Sequence, residues 1–363
     1  LYGLIIRLIK SIREDILTLT GPKRARRVTQ SDVAAMAGVS TAVVSAVISP
    51  KPGKTIRVGE EAEKRVRAAM EALGYAPDVV AQSLAGGRRN IIGVFTYEAV
   101  FPADRKNFFY PFLLGIERGA MRSGQDLLLF TSSTLEKGRR SIFPKGTNRM
   151  GIADGAILLG AAQDKDDLKR LCDIGFPFVT IGRREVEGGH VSWVAPDYRS
   201  AVGDVVTRCR AMGHRALMLI GEREVREQNE DRERGFLENG HDDLTLSVER
   251  IAPEEIIPAW IDELLKSGIT VVLAETFAHA VALERQLAAR GLTIPDNISV
   301  VALAAPLFDE AEGERWTRIS IPREEMGERA VETLIAKIRE PGKVPENIMQ
   351  PLGYVPGETL KAI

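Results

Sequence analysis

Two cysteines in 363 residues, Cys172 and Cys209, leave little room for covalent or metal staples. They stand far apart and neither has a partner at metal-ligand spacing, which excludes a disulfide framework and a zinc module. One bridge is chemically open, but a reducing, cytoplasmic compartment is the simpler reading. The four histidines, His190, His214, His241 and His279, are scattered, and HExxH, GxxxxGK[ST] and GxSxG patterns are all missing. No nucleophile–base pair, metal cluster or phosphate loop therefore supports an enzyme, and no cofactor is expected. Long uncharged apolar runs are missing too. The opening stretch LYGLIIRLIKSIREDILTLT is interrupted by Arg7, Lys10, Arg13, Glu14 and Asp15. A membrane span needs roughly 20 nearly uncharged residues, and a secretory signal needs an unbroken apolar core and a small-residue cleavage site. No membrane partner is expected. The chain begins with Leu1 rather than methionine, as a fragment or an upstream-extended reading frame does. Residues 1–27, which end in the basic GPKRARR, are read as an extension or disordered arm and given no function.

What is present is a split charge and a good core. Hydrophobic residues make up 44% of the chain, enough for a sizeable interior. The net charge of −1 divides into +7 over residues 1–90 and −8 over the remainder. A basic head on an acidic body is the asymmetry of a protein that meets a polyanion at one end, although a solvated charged face has the same composition.

The basic head carries SDVAAMAGVSTAVVSAVI, residues 31–48. Thr29 is a good N-cap, and Asp32 three residues on makes a capping-box-like pair, so a helix is expected over Gln30–Ala37. Gly38 ends it in a left-handed C′ position. Val39 fills the turn, and Ser40 caps a second helix over Thr41–Ser49. Two short helices joined by a glycine turn make a helix-turn-helix. Val33, Ala37, Val39, Val44 and Val47 join them to each other and to a third helix, Glu60–Leu73, with Ala62, Val66, Ala69, Met70 and Leu73 at helical spacing. Thr41, Ala42, Ser45 and Ala46 are left facing outward. A three-helix bundle with no DNA role has the same pattern.

The stretch VTQSDVAAMAGVSTAVVSAVI, followed by RVRAAMEALGYAPDVVAQSLAGGRRNIIGV, resembles the DNA-binding head and hinge of the lac repressor (LacI/GalR) family. Farther on, YPFLLGIERGAMRSGQDLLLF, AMGHRALMLIGE and RGLTIPDNISVVAL resemble that family's effector domain at the right separations, so the likeness covers residues 28–363. It implies a helix-turn-helix domain at 28–73, a hinge at 74–90 and a two-lobed effector-binding and dimerisation domain at 91–363. It also implies that Thr41 and Ala42 occupy the positions that select the operator, at the start of a helix in the major groove. Relatives commonly carry an arginine where this chain has Ala46, and an asparagine where it has Ser49. Alanine offers only a methyl contact, so base readout here must differ from the family's usual one. Phosphate contacts are expected from Thr29, Ser40, the capped helix N-terminus and Arg57. In the hinge PDVVAQSLAGGRR, Leu84, followed by Ala85, corresponds to the leucine that wedges into the central base step.

From Ile91 onward short apolar runs bounded by turns (IIGVFT, DLLLF, GAILLG, PFVTIG, then ALMLIG, TVVLA, ISVVAL) alternate with helical patterns. That alternation predicts an α/β body with parallel sheets. The resemblance makes it two-lobed, like the periplasmic sugar-binding proteins, with crossings near Gly189–Asp197, Arg318–Pro322 and Pro341–Pro345. Ligands bind beyond the carboxyl ends of such strands. The cleft is thus expected at Thr96–Tyr97, Phe108–Tyr110 (Phe109 among them), Gly160–Ala161, Gly221–Glu222, Ala274–Thr276 (with Glu275) and Ala304–Pro306. Arg232 in DRERGF matches a family arginine that reaches the effector; as a bare sequence feature it equally reads as one more surface charge. Polar partners that relatives use on sugar hydroxyls are replaced here by Ala304 and Ala305, by Glu275 and Thr276, and by Ile321 near the third crossing. A typical hexose is therefore not the expected effector. A small organic acid for Arg232, a cation for Glu275, or a cleft with no ligand are the readings left open.

The expected function is a homodimeric, operator-binding transcriptional regulator, a repressor under small-molecule control. The alternative, a two-lobed solute-binding protein, shares the body but requires an export signal and has no use for residues 28–90.

Overall fold

Thr29 starts the first helix, α1 (Gln30–Ala37), as the sequence requires. Its backbone N–H donates to Asp32 Oδ2 at 2.8 Å, and the amide of Asp32 donates back to Thr29 Oγ1 at 3.4 Å. Gly38, at φ 65°, closes the helix in the left-handed region that glycine enters without steric cost. α2 (Thr41–Ile48) then leaves at a bend of 107° to α1, with Ser40 Oγ accepting from the amide of Val43. α3 (Glu60–Leu73) lays Val66 and Ala69 against Val33, Ala34, Ala37 and Val44 to form one small core. Arg65 Nε donates to Ala37 O at 3.2 Å, which ties α3 to the end of α1.

The computed structural model describes residues 28–48, 58–76, 89–98, 106–131, 135–136, 139–160, 163–304, 313–342 and 347–363. The chain divides into two compact units, residues 1–89 and 90–363. The arm at 1–27 and, in the head and hinge, Ser49, Arg57, Leu84 and Ala85 lie outside the described residues.

The larger unit starts with β1 (Ile91–Thr96), α4 (Lys106–Ser123), β2 (Asp126–Phe130), β3 (Gly155–Leu159), α5 (Lys165–Asp173), β4 (Phe178–Ile181) and β5 (Ser192–Pro196). Its second half comprises α6 (Tyr198–Ala211), β6 (Ala216–Gly221), α7 (Glu227–Glu238), β7 (Thr245–Arg250), α8 (Pro258–Lys266), β8 (Val271–Ala274), α9 (Phe277–Ala288) and β9 (Ser299–Ala302). β10 (Arg318–Ser320), α10 (Arg323–Arg339), β11 (Ile348–Gln350) and β12 (Gly353–Val355) complete it. Two six-stranded sheets result, in the orders β11-β5-β4-β3-β1-β2 and β12-β10-β9-β8-β6-β7. All pairings within them are parallel except β12, which runs antiparallel to β10.

Each sheet is covered on both faces, which is why its central strands read as continuous apolar runs rather than alternating ones. In β3, Ile157 and Leu159 enter one core with Ile92 and Val94, while Ala156 and Leu158 enter another with Phe95. In β6, Ile220 faces one core and Leu217 and Leu219 the other.

Three crossings join the lobes. The first follows β5 at Asp197 and the second follows β10 at Ile321–Pro322, both inside the expected ranges. The third was expected at Pro341–Pro345. It instead falls at Pro351–Leu352, because β11 first adds to the edge of the first sheet, with Ile348 opposite Val194. A three-residue strand, IMQ, is too short to show a period. Ile321, expected near the third crossing, accordingly sits at the second. Return to the first lobe is made by α10, which packs along α4 through Gly115, Gly119 and Gly327. A side chain at Gly115 would run into Glu324 O, and one at Gly327 into Phe112 O.

Candidate functional site

The head leaves polar residues exposed around the turn and the start of α2. Thr29, Ser40, Thr41, Ala42 and Ser45 are exposed, while Val44 on the opposite side of α2 is fully buried. Ala46, expected to face outward, is half-buried. The first turn of α2 carries no carboxylate, so nothing acidic there offsets the partial positive charge of the helix start.

In the body, a cavity of about 540 Å³ opens beyond the carboxyl ends of β3, β4, β6, β8 and β9. Gly160, Arg232, Glu275 and Ala304, four of the expected effector residues, line it. The other three do not. Thr96 is fully buried, its hydroxyl accepting the amide of Glu98 at 3.1 Å. Tyr97 turns toward α5 and donates to Asp167 Oδ2 at 3.1 Å; burial, reinforced by the Asp167 charge, pushes its phenol far above the ordinary range. Phe109 is buried in the core between α4, the first sheet and α10, and its neighbour Phe108 lines the cavity instead. One residue along a helix is a turn of about 100°, enough to swap a cavity position for a core one. Tyr110 is exposed, and Ala161, Ala305 and Pro306 lie outside the described residues.

The second-lobe wall is a locked polar cluster. Glu275 Oε2 accepts the amide of Glu222 at 2.8 Å, and its Oε1 accepts Asn229 Nδ2 at 2.6 Å. Arg232 Nη1 and Arg250 Nη1 stand 3.5 and 3.6 Å from the same carboxylate. Asn229 Oδ1 accepts the amide of Arg226 at the start of α7. The Arg232 guanidinium lies over the Tyr198 ring at 3.6 Å, a cation–π contact.

The first-lobe wall contributes Arg184 and Arg323. Arg184 Nη2 donates to Gly160 O at 3.0 Å, and Nη1 stands 3.8 Å from Glu227 Oε2. Arg323, the first residue of α10, lies over the Phe108 ring at 5.6 Å. Burial lowers the guanidinium pKa of both, but arginine stays charged. Beside the cavity the lobes are clasped by Arg183, whose Nε and Nη2 reach Asp231 Oδ2 and Oδ1 at 3.0 and 2.9 Å, a two-pronged geometry that fixes orientation.

Sequence reasoning missed Arg184, Tyr198, Phe277 and Arg323 as lining residues. Only Arg323 carried a signal. A cation at the first position of a helix opposes the dipole, so IPREEM places one where helix physics disfavours it. Among the described residues no group of three or more His, Cys, Asp or Glu is placed to hold a metal. No single helix among them is long and apolar enough to cross a membrane.

Head and body together define a class, a helix-turn-helix DNA-binding unit followed by a two-lobed, periplasmic-binding-protein-like body. The pattern of the bacterial regulatory proteins of the lacI family matches residues 29–78, and that of the periplasmic binding protein-like domain matches residues 206–360. The HTH-type transcriptional regulator MalR of Streptomyces coelicolor is 27% identical over 349 residues, 92% of this chain and 96% of that one. Two solved structures share the fold. The lac repressor dimer bound to operator and the anti-inducer ONPF has a TM-score of 0.67 at 21% identity, covering 93% of this chain and 100% of its own. The CelR–cellobiose complex has a TM-score of 0.57 at 23% identity, covering 92% and 100%. This chain carries a lacI-family helix-turn-helix domain and a periplasmic binding protein-like domain, and is a DNA-binding transcriptional regulator.

Proposed function

We propose that this regulator is a cytoplasmic homodimer that represses its targets from a pseudo-palindromic operator and is controlled by a small molecule in the interlobe cavity. It divides into a head at 28–73, a hinge at 74–90 and a body at 91–363. The observation that carries the reading is the exposed start of α2, with Thr41, Ala42 and Ser45 outward on a helix-turn-helix bent through 107°. One reading helix per chain needs two chains to read two half-sites, and a two-fold dimer meets a palindrome with matched symmetry. Thr29, Ser40 and Arg57 supply phosphate contacts, and Ala46 and Ser49 alter the base readout from the family's usual one. Leu84 and Ala85 form the minor-groove wedge.

Thr96, Tyr97 and Phe109, named from sequence as effector residues, are replaced in this proposal by Phe108, Arg184, Tyr198 and Arg323 beside Gly160, Arg232, Glu275 and Ala304. Ile321 and Ala304 offer no hydrogen bond from their side chains, and Glu275 already has partners on both oxygens. A hexose hydroxyl buried against them without a partner costs about 1–3 kcal/mol. A typical hexose is therefore not the effector. Footprinting of the full chain on the DNA upstream of its own gene tests the reading. Two protected half-sites related by a dyad are expected; a monomer on an asymmetric site overturns it.

A further inference from the structure

We infer that the ligand of the interlobe cavity is an organic anion, a carboxylate or a phosphate ester with an apolar body, and that Arg323 and Arg232 bind its acidic group. This rests on the proposal that the cavity is the effector site. Three observations lead to it.

First, Arg323 has no carboxylate or hydrogen-bond acceptor among the described residues, and its Nε is fully shielded. The other cavity arginines all have acidic neighbours. Arg184 stands near Glu227, Arg226 pairs with Glu224, and Arg232 stands near Glu275. A half-buried guanidinium with no anion beside it is costly unless something supplies one.

Second, Arg232 is only 5% exposed and its Nε is buried with no acceptor. Its Nη1 is the atom that approaches Glu275 and Gln228 O, at 3.5 and 3.3 Å. Glu275 cannot serve it better, because that carboxylate is shared with Arg250 and already accepts two N–H donors. The same saturation argues against a cationic ligand, since a cation would have to displace Asn229, the Glu222 amide or an arginine.

Third, α7, α9 and α10 all begin at the cavity, through Arg226, Phe277 and Arg323. Their N-terminal ends add partial positive charge where the two arginines stand. α10 is preceded by Pro322 and has no side-chain cap. Part of the lining, Phe108, Phe112, Phe277, Ile321 and Met326, is apolar and suits a hydrocarbon or aromatic body, while Arg232 and Arg323 stand among the polar lining residues.

The test compares matched acids and neutral analogues on the full chain: phenylacetate with phenylacetamide, phenyl phosphate with phenol, and inorganic phosphate alone. Thermal shift and calorimetry are read for wild type, Arg323→Gln, Arg323→Lys and Arg232→Gln. The expected result is that at least one organic anion raises Tm while its neutral analogue does not. Its Kd should weaken at least tenfold in Arg323→Gln and Arg232→Gln and be partly restored in Arg323→Lys. The carboxylate and phosphate arms identify the acidic group, and binding by inorganic phosphate alone would show that the apolar body is not needed and overturn that half of the proposal. The inference fails if neutral analogues bind as well as the acids, if no anion binds, or if Arg323→Gln leaves Kd unchanged. Gel shift on the upstream DNA separates the two readings. A neutral ligand that alters operator binding leaves the effector site standing and removes the anion. Loss of any palindrome binding removes the regulator while anion binding can still hold.

Discussion

At the scale of single residues, the body's C-terminal end is held by a buried histidine. His214 is fully buried, with Nδ1 at 2.9 Å from Thr270 Oγ1 and Nε2 at 2.9 Å from Lys361 O. The carbonyl can only accept, so Nε2 carries the proton in the neutral ring. Burial lowers the imidazole pKa, and the hydrogen bond to Lys361 O opposes that only in part. The folded state therefore binds a proton less readily than the unfolded chain. Its stabilising contribution is complete above the unfolded value near 6.5 and is lost as pH falls through the depressed folded value. Urea midpoints measured from about pH 8 to about pH 5, across the ordinary imidazole range, should fall. In His214→Gln the fall should be shallower, with lower stability at the alkaline end; an identical profile would show that His214 does not control it.

Among the elements, α4 and α10 approach each other closely, and glycine makes the contact. At Gly119 a side chain would stand 2.9 Å from Val331 Cβ, and at Gly115 and Gly327 it would strike backbone carbonyls. Backbone yields less than a side-chain tip, so Gly115→Ala and Gly327→Ala should each cost about 1–3 kcal/mol or more through overpacking. Gly151→Ala, where nothing lies within 4 Å, serves as the control and should be near neutral. Chemical denaturation of the full chain would decide, and equal midpoints for all three would refute the close approach. Because Arg323 opens α10, a displaced helix should also weaken the cavity. The hinge is the other element with a defined prediction. Leu84→Ala should weaken operator affinity and reduce DNA bending while leaving ligand binding intact, since the wedge's reward is the bent duplex. Circular-permutation gel shift measures both, and unchanged bend and affinity would remove Leu84 from that role.

For the whole molecule, the charge division is the relevant quantity. A +7 first segment and a −8 remainder sum to −1, so bulk charge hides a basic N-terminal segment. Operator affinity should fall linearly on a log–log plot against salt as counterions return to the phosphates. Binding of a neutral probe in the body should change little over the same range, and a flat operator titration would deny phosphate contacts by the head. The Arg183–Asp231 clasp, Glu227 and Lys165 join the lobes beside the cavity. The cavity is lined from both lobes, so a molecule filling it would favour one spacing of the lobes over another, the kind of differential affinity that a population shift requires.

The sequence alone determined the head and the class of the body. Thr29, Asp32, Gly38 and Ser40 act within a few residues of themselves, and caps and turns are local physics. Long apolar runs such as IIGVFT and GAILLG likewise announce strands buried on both faces. The edge strands did not announce themselves. TLSVER is half-buried, and IMQ and GYV are too short for a period, so the third crossing was placed early and the antiparallel pairing of β12 was not anticipated. The cavity's membership was decided by tertiary structure. Whether Phe108 or Phe109 faces the cavity depends on the rotation of α4 against α10, and whether Thr96 and Tyr97 reach it depends on how β1 and α5 pack. Arg184 and Arg323 join it only because distant chain segments bring the carboxyl ends of two sheets and the starts of three helices to one place. Local sequence specifies elements; the sharing of charge among Arg232, Arg250 and Glu275, and its absence at Arg323, is a property of the assembled fold.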